Sequence, residues 1–151
     1  MSRVALVTGG TRGIGAAISK ALKVAGCDVA ASYAGNDEAA AKFKSETGIA
    51  VIKFDVSDYD ACAKALGEIG QVDILVNNAG ITTLGSIEEV TLEQFRHEID
   101  IDVVGVFLGC KHVLAKMRPR GGSIINMSSL CGVRAQADLV AYNAAKAAVT
   151  H

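Results

Sequence analysis

Short apolar runs alternate along this chain with longer stretches of helical periodicity, and glycines or small polar residues mark the changeovers. Val4-Ala5-Leu6-Val7 is rich in β-branched residues and predicts a buried strand. It feeds a glycine-rich turn over residues 8–15, after which residues 16–23 combine helical periodicity with strong helix formers. Gly26 ends that helix, and residues 28–33 predict a second strand. Residues 36–46 form a polar, Ala-rich amphipathic helix with Gly48 as its C-terminal cap. A third strand covers residues 49–54 and ends at Asp55, and Ser57 is expected to cap a helix reaching about residue 69. Residues 73–77 predict a fourth strand. Thr91 opens a helical region with Glu93 and Gln94 in its first turn. The apolar stretch 99–117 reads as a buried helix, and residues 123–127 as a fifth strand.

Strands alternating with helices predict βαβ units: a doubly wound, parallel α/β sheet of Rossmann type with helices on both faces. Ligands of such sheets gather at the carboxyl ends of the strands. The unusual polar residues fall there: residues 8–15 after strand one, Asp55 after three, Asn77 to Gly80 after four, and Ser128-Ser129 after five. One edge of the sheet should collect them all.

Composition narrows the function classes. The 151 residues suffice for one domain, half are hydrophobic, and net charge is −1, which favours neither a nucleic acid nor a membrane surface as partner. No apolar run approaches the roughly 18 residues of a membrane span. Cys27, Cys62, Cys110 and Cys131 stand far apart, with no C-x-x-C and no His at ligand spacing. That pattern argues against a metal site or disulfide framework and for a cytoplasmic protein.

The turn after strand one carries the chemistry of a phosphate cradle. Gly9, Gly13 and Gly15 give the spacing G-x-x-x-G-x-G, with Gly10, Thr11, Arg12 and Ile14 between them. Glycines let backbone approach a pyrophosphate, and the following helix start supplies free N–H donors and a positive dipole end. Near the end of the chain, Tyr142 and Lys146 lie four residues apart, on one helix face. A nearby ammonium stabilises a phenolate, and a phenol so placed can give or take a proton, with a hydroxyl such as Ser129 beside it. Taken singly, each has a plain structural reading: a turn, a strand cap, a half-buried Tyr under a surface Lys.

Taken jointly, the residues 8–15, Asp55-Val56, Asn77-Asn78-Ala79-Gly80, Ser129 and Tyr142-x-x-x-Lys146 resemble the signature set of the classical short-chain dehydrogenase/reductase family, in its order and at its approximate spacings. The resemblance spans essentially the whole chain. It implies a nicotinamide cofactor held by Gly9, Gly10, Thr11, Arg12, Gly13, Ile14, Gly15, Asp55, Val56, Asn78, Ala79, Gly80, Tyr142 and Lys146. It also implies reversible hydride transfer between an alcohol and a carbonyl, with Tyr142 as acid/base, Lys146 supporting its phenolate and holding the ribose, and Ser129 orienting the substrate oxygen. An acid at the end of strand two would favour NAD. Here that region has no acid before Asp37, while Arg12 can meet a 2′-phosphate, so NADP(H) is the expected cofactor.

One position departs from the family. Asp102 stands where an Asn of the long helix is usual, and its charge alters the balance around Lys146 and Tyr142. The resemblance also implies further chain beyond the Tyr-Lys helix, so residues 1–151 are expected to be one dinucleotide-binding domain, incomplete at its C-terminal side. That helix is expected to be a stub of about two turns. The first half resembles acetoacetyl-CoA and 3-oxoacyl-thioester reductases; the last third resembles secondary-alcohol or hydroxysteroid dehydrogenases. Two functions are therefore carried forward. One is an oxidoreductase acting on a small carbonyl or alcohol, as a homo-oligomer. The other is a nucleotide-binding fragment that needs a partner for turnover.

Overall fold

A computed structural model describes residues 2–151. Five parallel strands form one sheet in the order β3-β2-β1-β4-β5: β1 Val4–Val7, β2 Asp28–Tyr33, β3 Ala50–Lys53, β4 Ile74–Asn77 and β5 Ser123–Asn126. The order reverses between β1 and β4, where chain direction leaves a crevice at the carboxyl ends. Helices α1 (Gly13–Val24) and α2 (Asp37–Thr47) cover one face. Their apolar residues, with Phe43 and Ile18, meet Ala5, Val7, Ala31 and Val76. Against the opposite face lie α3 (Tyr59–Ile69) and α5 (Gly105–Met117), where Leu66, Val113 and Met117 pack on Leu6 and Leu75. Alternate residues of each strand thus feed different layers, which is why β1 and β4 read as unbroken apolar runs.

Local signals place the turns. Asn36 accepts from the Ala39 amide and caps α2, and Gly48 ends it in a left-handed conformation (φ 65°). Thr91 and Gln94 form a reciprocal capping box that starts α4 (Leu92–Ile99). Ser57 does not cap α3 as expected. The cap is Asp58, which accepts from the Ala61 amide, while Ser57 donates through its amide and hydroxyl to the Asp55 carboxylate.

The apolar stretch 99–117 is not one buried α-helix. A five-residue π-helical segment, Asp100–Val104, joins α4 to α5, so one rod runs from Leu92 to Met117. α5 is amphipathic: Leu108, Val113 and Met117 are buried, whereas Phe107 and Leu114 stay exposed at 60% and 48%. After β5, a short 3₁₀ turn, Leu130–Gly132, leads to α6 (Val140–Thr150), which packs on α4 and the π segment. At 11 residues α6 makes three turns, one more than expected. No helix among the described residues is long and apolar enough to cross a membrane.

Candidate active site

The cradle after β1 is built by hydrogen bonds between loops that are distant in sequence. The Thr8 hydroxyl oxygen accepts from the amides of Asn78 and Ala79, both at 3.0 Å. Asn78 donates in return through its side-chain amide to the carbonyls of Thr8 (2.9 Å) and Gly9 (3.2 Å). Behind the turn, Ser19 donates to the Gly10 carbonyl and the Gly10 amide donates to Ser32. The turns after β1 and β4 are therefore one rigid unit.

Two glycines are dictated by space. A Cβ on Gly15 would fall 2.2 Å from the Gly9 carbonyl oxygen, and one on Gly10 would fall 2.7 Å from that of Val7. Gly13, with φ 52°, opens onto nothing within 4 Å. Arg12 precedes α1 in extended conformation and makes no side-chain cap, so the first amides of α1 lie open to the cleft. A glycine-lined wall with uncapped helix donors suits a pyrophosphate, and the residues present fit a dinucleotide.

That wall belongs to a cleft of about 600 Å³ at the carboxyl ends of β1, β2, β3 and β4. Of the residues expected to hold a cofactor, Gly9, Thr11 to Gly15, Asp55, Val56 and Asn78 to Gly80 line it. Gly10 sits behind the turn, and Tyr142 and Lys146 lie outside the lining. Phe54, Ile81, Ile101 and the segment 32–36 complete it.

The polar residues of α6 meet the π segment rather than the glycine turn. Lys146 is 5% exposed, and its ammonium lies 2.9 Å from Asp102 Oδ2 and 3.2 Å from the Met127 carbonyl oxygen. One turn earlier, the half-buried Tyr142 ring has its centroid 5.3 Å from that ammonium. Asp102 is fully buried, and its Oδ1 accepts from the Ile81 amide at 2.8 Å. The Asp–Lys contact is direct, with no room for an intervening water. The wider π turn sets Asp102 inward, toward Gly80 and Ile81.

The two serines after β5 separate cleanly. Ser128 donates to the Lys146 carbonyl and meets Thr150, so it ties β5 to α6. Ser129 caps the 3₁₀ turn by accepting from the Cys131 amide, and it is only partly buried.

One buried acid escaped the sequence reading. Glu98 is fully buried, four residues before Asp102, and its Oε2 accepts from the Thr83 amide at 2.9 Å. Two carboxylates one turn apart thus hold the loop after β4 at Ile81 and Thr83. The i, i+4 spacing of Glu98 and Asp102 was the available signal. The described residues contain no cluster of three or more potential metal ligands, and all four cysteines are free thiols.

Residues 3–151 match the family described as short chain dehydrogenase. The chain belongs to that family. Among relatives within it, an acetoacetyl-CoA reductase of Shinella zoogloeoides is 54% identical over 97% of this chain and 63% of its own length. One from Rhizobium meliloti (strain 1021) is 53% identical over the same shares. A 3-beta-hydroxysteroid dehydrogenase of Comamonas testosteroni is 38% identical over 98% of this chain and 60% of its own. The crystal structure of a short-chain dehydrogenase from Streptomyces avermitilis superposes with a TM-score of 0.92 at 34% identity, covering 99% of this chain and 57% of that one. The chain therefore spans somewhat under two thirds of the length of the relatives it matches. These relatives are named as reductases or dehydrogenases, and the Streptomyces avermitilis structure shares the Rossmann-type fold.

Proposed function

We propose that this chain carries the cofactor site and proton-transfer group of an NADP(H)-dependent oxidoreductase that interconverts a ketone and a secondary alcohol. A 3-oxoacyl thioester such as acetoacetyl-CoA is the first substrate to test. One observation carries the reading: the dinucleotide cleft and the Tyr142–Lys146–Asp102 group share a wall. Gly80 and Ile81 line the cleft, and the Ile81 amide is held by the same Asp102 that pairs with Lys146.

When bound, the nicotinamide supplies or accepts the hydride at the substrate carbon. In the reducing direction Tyr142 gives its phenolic proton to the substrate oxygen as that oxygen gains charge. The Lys146 ammonium stabilises the phenolate left behind. Ser129 donates a hydrogen bond that orients the substrate oxygen. Asp102 keeps the ammonium in place and offsets part of its charge. Arg12, on the cleft wall and in no ion pair among the described residues, meets the 2′-phosphate. The identity to two proteins named acetoacetyl-CoA reductase supports the thioester substrate. Four free thiols support a reducing, cytoplasmic setting, and the exposed Phe107 and Leu114 support assembly with further copies.

A second reading is a dinucleotide-binding piece, residues 1–151, that turns over only with a partner. The chain's coverage of its relatives favours it, as does Ile125 on the open edge strand β5, 47% exposed. NADPH oxidation with a panel of ketones and acetoacetyl thioesters separates the two. Silence with every substrate, while NADPH binds, supports the second. Arg12→Leu should weaken NADPH far more than NADH, and equal losses would remove the NADP(H) assignment.

A further inference from the structure

The first acid after β2, Asp37, follows directly on the cleft-lining Asn36, yet its charge is already taken. Asp37 opens α2, fixed there by the Asn36 cap, and Asn36 and Tyr33 both line the cleft alongside Arg12. The Asp37 carboxylate accepts from the Lys53 ammonium through both oxygens, at 2.9 and 2.8 Å, and from the Tyr33 hydroxyl at 3.1 Å. The parallel pairing of β2 with β3 sets Tyr33 directly opposite Lys53, so both side chains rise on the α2 side of the sheet. The trio sums to zero charge at the cleft rim.

That arrangement answers a question of chemistry. A bare carboxylate near the end of β2 attracts ribose hydroxyls and repels a phosphate there. A carboxylate pinned by an ammonium and a phenol does neither at comparable strength. We propose that Lys53, with Tyr33, is a specificity-determining residue: it masks Asp37 and so lets the rim accept a 2′-phosphorylated adenosine. This rests on the NADP(H) reading given above. The pair keeps its charges readily: Lys53, above all, holds the Asp37 carboxyl below its ordinary range, and Asp37 raises the Lys53 ammonium above its own. Loss of solvent around it, then the Asp37 carboxylate, raises the Tyr33 phenol above its ordinary value, so it stays a donor.

The test is a fluorescence titration of NADPH and NADH on the full chain, which needs no turnover. Lys53→Met should loosen NADPH about three- to tenfold relative to NADH, an effect that shrinks as salt is raised. Adding Asp37→Asn to that variant should restore the wild-type ratio to within about twofold, because the unmasked charge is gone. These side chains are largely exposed, so neither change threatens the fold. A wild type that binds both cofactors equally would overturn the NADP(H) reading and this inference with it. A wild type that prefers NADPH, with Lys53→Met unchanged in preference, would overturn this inference alone. Failure of Asp37→Asn to restore the ratio would also overturn it, since Lys53 would then be acting on the phosphate itself.

Discussion

The two sides of the cleft are supported in different ways. On the glycine-turn side, β1 and β4 bury nearly all their residues, and four cross-loop hydrogen bonds from Thr8 and Asn78 lock their ends. On the α6 side, β5 is an edge strand with three of four residues exposed, and the Tyr-Lys helix rests on α4 and the π segment. Its one buried ion pair, Lys146 with Asp102, is joined by the hydrogen bonds of Ser128 to the Lys146 carbonyl and to Thr150. Loss of one bond on the glycine-turn side should therefore cost less than loss of the ion pair on the α6 side. A neutral hydrogen bond contributes about 1 kcal/mol, whereas a buried charge left unpaired costs several.

Asp102→Ala should therefore do the largest damage, about 3–5 kcal/mol of unfolding free energy, by stranding the Lys146 ammonium. Denaturant midpoints would measure it, and a loss under about 1 kcal/mol would show that the pair does not anchor α6. Asp102→Asn keeps an acceptor for the Ile81 amide and should be milder. It should also raise turnover if the carboxylate weakens the Lys146 effect on Tyr142; unchanged turnover would retire that idea. Next comes the glycine-turn side, where Gly15→Ala puts a methyl against the Gly9 carbonyl. A cost of about 1–3 kcal/mol is expected, along with weaker NADPH binding. If both stay unchanged, the turn is less rigid than its bonds imply. Glu98→Leu should cost about 1–2 kcal/mol by leaving the Thr83 amide unpaired. Glu98→Gln, which retains an acceptor, should recover most of it, and exchange of the Thr83 amide reports the difference.

The smallest effect lies far from the cleft. Asp73 accepts from the Val4 amide, and this bond more than any other holds its carboxyl below the usual range, with Gln71 and Arg120 adding to it. A depressed folded value means the stabilisation is complete above the ordinary carboxylate range, near 4, and is lost as pH falls through the folded value. Asp73→Asn should flatten stability between pH 5 and the acid limb; an unchanged profile would place the acid sensitivity elsewhere.

Legibility followed the kind of signal each element carries. β1 begins and ends where its apolar run does, because a buried parallel strand is bounded by what it must bury. The glycine turn was legible because close approach restricts residue type, whereas Asn78 was read only through the family resemblance. The cap of α3 was misplaced by one residue, since Ser57 and Asp58 are equally good caps and only folding assigns Ser57 to Asp55. The π segment left no mark in periodicity, because one inserted residue shifts the helical phase without breaking it. Glu98 was missed for a related reason: an acid on an amphipathic helix reads as solvent-facing until a loop is found to cover it, and only its i, i+4 spacing to Asp102 hinted otherwise.

Under the proposed function, Tyr142, beside Lys146, moves the proton at the wall of an NADP(H) cleft. NADPH oxidation by an acetoacetyl thioester, measured for wild type and Tyr142→Phe with NADPH binding followed in the same samples, tests it most directly. Turnover should fall by about 10²–10⁴-fold in the variant, with binding within about twofold of wild type. Equal, measurable turnover in both proteins would contradict it.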